Sequence, residues 1–280
     1  MPIEPGFIFR ADRDDRVTRD ARGDAGDRDD RPADASDANG DARNEAVDAA
    51  FEAGVALFNA GHVLAARDRW EAALNAVVDQ DGSDVAAGGN DDATDAAAEC
   101  EGEDERVLRG LLAVATAADR ARGGERSDAA EHGTRAVTLL GGVGGGYRGL
   151  VLEPVREWCR ELADALETPD AASTSPDEPG PEPPTLRIDG VAVGFEDLDL
   201  AATLAAAPAL AAAVDAGDEE TLSSAARLAR EERGTGRTRV TELVFAYLRR
   251  PEARPQIAAR IADHVDRDRR ERRDVSGLFE

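Results

Sequence analysis

Lysine is absent from this sequence, so all 34 of its basic side chains are arginine. Cysteine is nearly absent too. Cys100 sits in an acidic stretch and Cys159 in an apolar one, which excludes a disulfide framework and a cysteine cluster with metal-ligand spacing. The three histidines, His62, His132 and His264, fall on separate segments without a His-x-x-x-His pattern, and they read as helix-flank residues. Aromatic residues make up only 4% of the chain. No run approaches the roughly 18 apolar residues of a membrane span. The apolar part of residues 1–10 is too short for a signal peptide, and a soluble cytoplasmic protein is expected. No Gly-x-Ser-x-Gly occurs. The run Gly141-Gly-Val-Gly-Gly-Gly146 lacks the Lys-Ser/Thr of a phosphate-binding loop and follows no strand, so it reads as a turn.

What the chain has in excess is acid. Its 59 acidic residues leave a formal net charge of -25, which self-repulsion would turn against a compact state. At molar salt the Debye length falls to about 3 Å and the repulsion is screened, so the composition reads as salt-adapted. The same charge argues against nucleic acid or an anionic membrane as a general partner. The sharpest basic cluster, Arg267-Asp-Arg-Arg-Glu-Arg-Arg273, interleaves acids and lacks aromatics, as a solvated helix end does. The residues after it, 275–280, carry Leu278 and Phe279 and read as a docking tail.

Residues 1–43 are rich in Asp, Arg, Gly and Ala and offer too little apolar surface to offset ordering entropy. A similar acidic insertion spans about 79–103, and a proline-rich linker spans 168–184. These breaks predict a first domain of 44–167 and a second of 185–280. In the first, apolar periodicity predicts helices over about 44–60, 62–78, 103–122, 127–140 and 153–167, with Ser127 as an N-cap. The second opens with Asp189-Gly190 between alternating apolar residues, a hairpin signal over 186–193. Helices follow over about 198–214, 219–233 and 238–249, and another starts at Pro255. The expected fold class is mainly α: a helical bundle containing an antiparallel helix hairpin, plus a smaller helical C-terminal domain opened by a β-hairpin.

Two resemblances attach to the first domain. Gly54, Leu57, Gly61, Ala66, Trp70 and Ala73 have a spacing similar to a tetratricopeptide repeat, whose small residues let two helices approach closely. Only a fainter second match follows, through Ala118, Ala130, Thr134 and Val137, which is short of the three repeats a solenoid needs. More specifically, Phe58-Asn-Ala-Gly-His62, Ala66-Arg67-Asp68 and Trp70-Glu71 resemble the first motif of the domain-of-unknown-function family numbered 309. Asp104–Leu112, with Gly110 in a Leu-x-Gly-Leu-like setting, resembles its second motif, and Tyr147-Arg148-Gly149 with Glu153–Arg156 the segment leading into its last helix. The resemblance spans about residues 45–167. It implies an all-helical fold, and structural roles for Phe58, Asn59, Gly61, Trp70, Gly110, Tyr147, Arg148 and Gly149. Members are often described as predicted metal-dependent hydrolases because of a histidine–acid pair.

This chain has Arg67 where the family has that histidine, and Ala113 and Asp119 where members usually carry Gln and His. Arginine has no lone pair to give a metal. The remaining oxygens, those of Asp68, Glu71 and Asp119, suit at most a weakly held hard cation. Arg67 lies on the margin of the Val63–Trp70–Leu74 stripe, and a partly buried guanidinium wants a carboxylate. The expectation is an Arg67–Asp119 ion pair in the cleft, with a solvent-side Arg67–Glu71 pair as the alternative. The functional expectation is a non-catalytic helical scaffold or binding protein with no cofactor and no metal, acting on a protein partner or by self-association. The alternatives are a metal-dependent hydrolase using Asp68, Glu71 and Asp119, and a small-molecule binder in the helical cleft.

Overall fold

The computed structural model describes residues 35–87, 102–167, 181–235 and 238–276. The helices are α1 (Ala35–Asn59), α2 (Val63–Ala87), α3 (Glu103–Arg122), α4 (Arg126–Gly141), α5 (Glu153–Glu167), α6 (Leu200–Ala213), α7 (Glu219–Glu232), α8 (Arg239–Arg249) and α9 (Arg254–Ser276), with a 3-10 turn at Pro251–Ala253 before α9. Four short strands, β1 (Gly146–Tyr147), β2 (Leu150–Val151), β3 (Arg187–Ile188) and β4 (Val191–Ala192), form an antiparallel sheet in chain order. The protein is mainly helical, as the periodicity predicts.

From α1 to α5 each helix packs on the next. Three-residue connections make α1–α2 and α3–α4 antiparallel hairpins, and the glycines set how closely their helices approach. A Cβ on Gly54 would lie 2.3 Å from Nε1 of Trp70, and one on Gly110 would lie 2.5 Å from Cδ2 of Leu140. Trp70 is fully buried, and its indole N–H donates to the carbonyl of Phe51 at 3.3 Å. Gly54→Ala is therefore expected to cost about 1–3 kcal/mol by overpacking, read as a lower melting temperature together with a change in Trp fluorescence.

The two ends of the helical series differ from expectation in one way. α1 begins at Ala35, inside the stretch expected to lack structure, and α2 runs on to Ala87, past the expected end at Val78. Once a packed nucleus exists, each further residue adds a backbone hydrogen bond at little cost, and neither extension contains proline. The N-cap position of α4 belongs to Glu125, with no side-chain cap bond. Ser127 lies inside the helix because its start falls one residue earlier than periodicity alone places it.

α6 holds the two halves together. It is buried nearly all round, through Ala202, Thr203, Leu204, Ala206, Ala207, Pro208, Ala209, Leu210 and Ala211. A helix that is apolar on every side is a core element, and its alanines admit neighbours closely. It packs against α1 and α2 on the first half and α7 and α8 on the second, so both halves share one hydrophobic core. Asp199 caps its N-terminus, accepting from the Ala202 N–H at 2.8 Å.

The sheet makes a second link. Asp189 (φ 50°) and Gly190 (φ 82°) form the expected hairpin turn between β3 and β4. A second hairpin joins β1 to β2 through Arg148 (φ 47°) and Gly149 (φ 77°), and Leu150 of β2 pairs with Ile188 of β3. The two turns touch: the Asp189 N–H donates to the Gly149 carbonyl at 2.8 Å, and a Cβ on Gly149 would lie 2.6 Å from the Asp189 carboxylate.

Candidate functional site

The α1–α2 turn carries the motif-like residues. Gly61 takes a left-handed conformation (φ 86°) that ends α1, and its carbonyl accepts from Arg122 of α3 at 2.7 Å. Phe58 is buried and packs on Trp70, with ring centroids 5.9 Å apart. Asn59, the last residue of α1, reaches across to the C-terminal half. Its amide donates to the carbonyls of Leu186 and Val193, both at 2.9 Å, and its Oδ1 accepts from the Leu186 N–H at 2.7 Å. Those three bonds grip the β3–β4 hairpin just outside both strands. Asparagine fits because one side chain must both give to carbonyls and take from an amide. His62, beside it, has its pKa lowered by burial and by Arg254 and Arg122 nearby, so its neutral form is favoured.

Arg67 does not pair with Asp119. Its guanidinium meets the carboxylate of its own neighbour Asp68 at 3.4 Å, with both side chains close to half exposed. Its Nε is buried without a hydrogen-bond partner. Arg67 thus has a local partner within α2, and the bond is too long and too exposed to count for more than a few tenths of a kcal/mol. Glu71 is exposed and Asp119 half-buried, and neither shares an ion pair with Arg67. Among the described residues, no three His, Cys, Asp or Glu side chains come close enough together to hold a metal ion. Asp68, Glu71 and Asp119 therefore form no common site in this geometry. Cys100 lies outside the described residues. Cys159 is buried, and burial pushes its thiol up to about 12, far from a reactive thiolate at neutral pH.

The Tyr147-Arg148-Gly149 segment builds a polar clasp. Arg148 pairs with Asp48 of α1 and with Asp104 of α3 (2.9 Å), and it donates from Nε to the Tyr147 hydroxyl at 2.7 Å. Tyr147 stacks edge-on against Phe51, with centroids 5.5 Å apart, and its hydroxyl pKa is raised chiefly by burial and then by Asp104. These ion pairs hold an arginine in a left-handed backbone conformation that non-glycine residues rarely adopt.

Sequence reasoning missed Arg156. Only 7% exposed, it sits over the C-terminus of α4 and donates to the carbonyls of Leu140 (2.6 and 3.1 Å), Val143 (2.7 Å) and Gly144 (3.1 Å). Orphan carbonyls at a helix end attract a cation. The only signal in the sequence is an arginine on the Val155–Cys159 side of an apolar stripe. Nearby, the Trp158 indole donates to the Pro181 carbonyl at 2.9 Å, anchoring the chain where it leaves the proline-rich segment.

The cluster 267–273 lies on α9 as a helix end laced with acids. Arg269 pairs with Glu220, and Arg272 pairs with Asp268 and Glu231. Leu278 and Phe279 lie outside the described residues. Among those described, no helix is long and apolar enough to cross a membrane.

The fold and this site define a mainly helical protein whose two halves are clasped at the α1–α2 turn. No protein-family model, curated protein or solved structure matches the chain.

Proposed function

We propose that this protein is a non-catalytic helical scaffold or binding protein, related to the family numbered 309 through residues of about 45–167. The observation that carries this reading is the use made of the motif-like residues. Asn59 grips the C-terminal hairpin, Gly54 and Trp70 set the α1–α2 approach, and Arg148 ties α1 to α3. These motif-like residues are thus engaged in packing and in clasping the fold. At the family's histidine position stands Arg67, a side chain with no lone pair, whose nearest carboxylate is Asp68.

The competing reading, a metal-dependent hydrolase using Asp68, Glu71 and Asp119, makes a different prediction. Metal content is measured on the full chain purified without chelator in high salt, after equilibration with manganese or zinc and desalting. We expect far less than one metal ion per chain. Stoichiometric metal that is lost in Asp68→Ala or Glu71→Ala would overturn the scaffold reading. A small-molecule binder in the helical cleft would instead show a ligand-dependent rise in melting temperature.

A further inference from the structure

Most described arginines hold a carboxylate or a carbonyl. Arg148, Arg156, Arg227, Arg254 and Arg272 are examples, each with at least two partners. The open groove between α8 and α9, about 820 Å³ in volume, is different. Four arginines line it, Arg239, Arg250, Arg260 and Arg267, and within the described structure none of their guanidinium groups has a hydrogen-bond or ion-pair partner. In a chain with a formal charge of -25, arginines have no shortage of carboxylates to choose from. Arg239 is also the first residue of α8, where the helix dipole disfavours a cation. Glu232 caps that helix end, accepting from the Val240 and Thr241 N–H groups at 3.1 Å, but among the described residues the Arg239 guanidinium itself has no ion-pair partner.

The groove floor is apolar, with Leu243 and Ala246 from α8, Ile257 from α9 and Ala253 between them. Leu243 and Ala246, one turn apart on α8, with Ile257 of α9 at the bottom, give an apolar channel between two helices of the kind that can receive a third. The length of α8, 11 residues, corresponds to about three turns. The groove is too open to enclose most of a small molecule's surface, as small-ligand sites do. Glu242 and Asp263 interrupt its rim, which suits carboxylates spaced along a partner helix better than a continuous track of phosphates.

We propose that the α8–α9 groove docks an acidic amphipathic helix of a partner protein, its apolar face on Leu243 and Ile257 and its carboxylates on the four arginines. This rests on the reading of the chain as a binding protein and names the surface and partner class. Helix-in-groove recognition of this kind uses anchors at i, i+3, i+4 and i+7, and arginine is among the residues enriched at such interfaces.

The test uses the full chain and two fluorescent synthetic peptides of about three to four turns, with leucines at i, i+3, i+4 and i+7. One peptide has flanking glutamates and the other flanking lysines. Binding is read by fluorescence anisotropy at the lowest salt at which the protein stays folded. The glutamate peptide is expected to bind saturably and the lysine peptide not. The double variant Arg239→Glu/Arg260→Glu should bind the glutamate peptide at least tenfold more weakly and gain affinity for the lysine peptide. Its melting temperature should hold, because both guanidinium groups lack partners. Absence of saturable binding, equal affinity for the two peptides, or indifference to the double variant overturns the proposal. So does a single-stranded oligonucleotide that binds more tightly than the peptide and loses affinity in the same variant. Failure here leaves the scaffold reading standing, since that reading falls only if the chain carries stoichiometric metal or takes a small-molecule ligand in the helical cleft.

Discussion

Replacing Asn59 by alanine is expected to lower the unfolding free energy by about 2–4 kcal/mol, measured by urea titration at fixed high salt. The estimate comes from three side-chain bonds, each worth roughly 1 kcal/mol net, and from stranding backbone groups that are partly shielded from water. Leu186, whose N–H and C=O both meet Asn59, is itself 1% exposed. The loss should be concentrated at the β3–β4 hairpin, where amide exchange would rise before the rest of the fold opens. Asn59→Asp is the sharper version. It keeps the acceptor for the Leu186 N–H but turns a double donor into an anion facing two carbonyls. That carboxyl would have a raised pKa in the folded state. A raised folded pKa contributes stability fully present below the unfolded carboxylate value and lost as pH rises through the folded one. Relative to the wild type, Asn59→Asp should therefore be least damaging in mild acid and worst at neutral pH. A pH-independent difference between the two would sink the argument that the amide donors matter.

The helical architecture is legible in the sequence because its signals are local. Glycine beside a large side chain one helix away, as at Gly54 and Trp70, is visible as small-residue spacing. Asp189-Gly190 reads as a hairpin because both residues tolerate the left-handed region the turn demands. Arg148-Gly149 forms the same kind of turn but does not announce itself. Arginine is unusual at that position, and the ion pairs with Asp48 and Asp104 that hold it there join residues far apart in the chain. The central place of α6 is illegible for a related reason. An alanine-rich apolar helix tells of burial but not of which helices bury it. Arg67 shows the limit on site prediction. Helical geometry placed it on the edge of the apolar stripe, but an arginine side chain is long enough to find the adjacent Asp68, and the choice among Asp68, Glu71 and Asp119 depends on backbone positions that only the packed fold supplies.

Arg156 is the side chain whose loss the α4–α5 region should tolerate least. Its guanidinium is nearly buried and makes four bonds to three carbonyls, that of Leu140 at the end of α4 and those of Val143 and Gly144 in the loop just beyond it, with a longer contact to Glu153 at 3.4 Å. Bonds from a charged donor are each worth about 1.5–3 kcal/mol, and bonds that share one donor group do not add fully. Arg156→Met keeps most of the apolar stem and removes every donor, so a loss of about 3–4 kcal/mol is expected by chemical denaturation. Arg156→Lys should recover only part of it, because one ammonium cannot reproduce a planar fork spread over three carbonyls. Arg160→Met is the control: Arg160 is roughly half exposed and bonds only the exposed Glu153 carboxylate, so its loss should be under about 1 kcal/mol. Salt separates the two further. Screening weakens an exposed pair but acts much less on buried groups, so the Arg156→Met penalty should persist from low to molar salt while any Arg160→Met penalty fades. If the Arg156→Met penalty faded in the same way, the helix-end carbonyls would not be what this arginine satisfies.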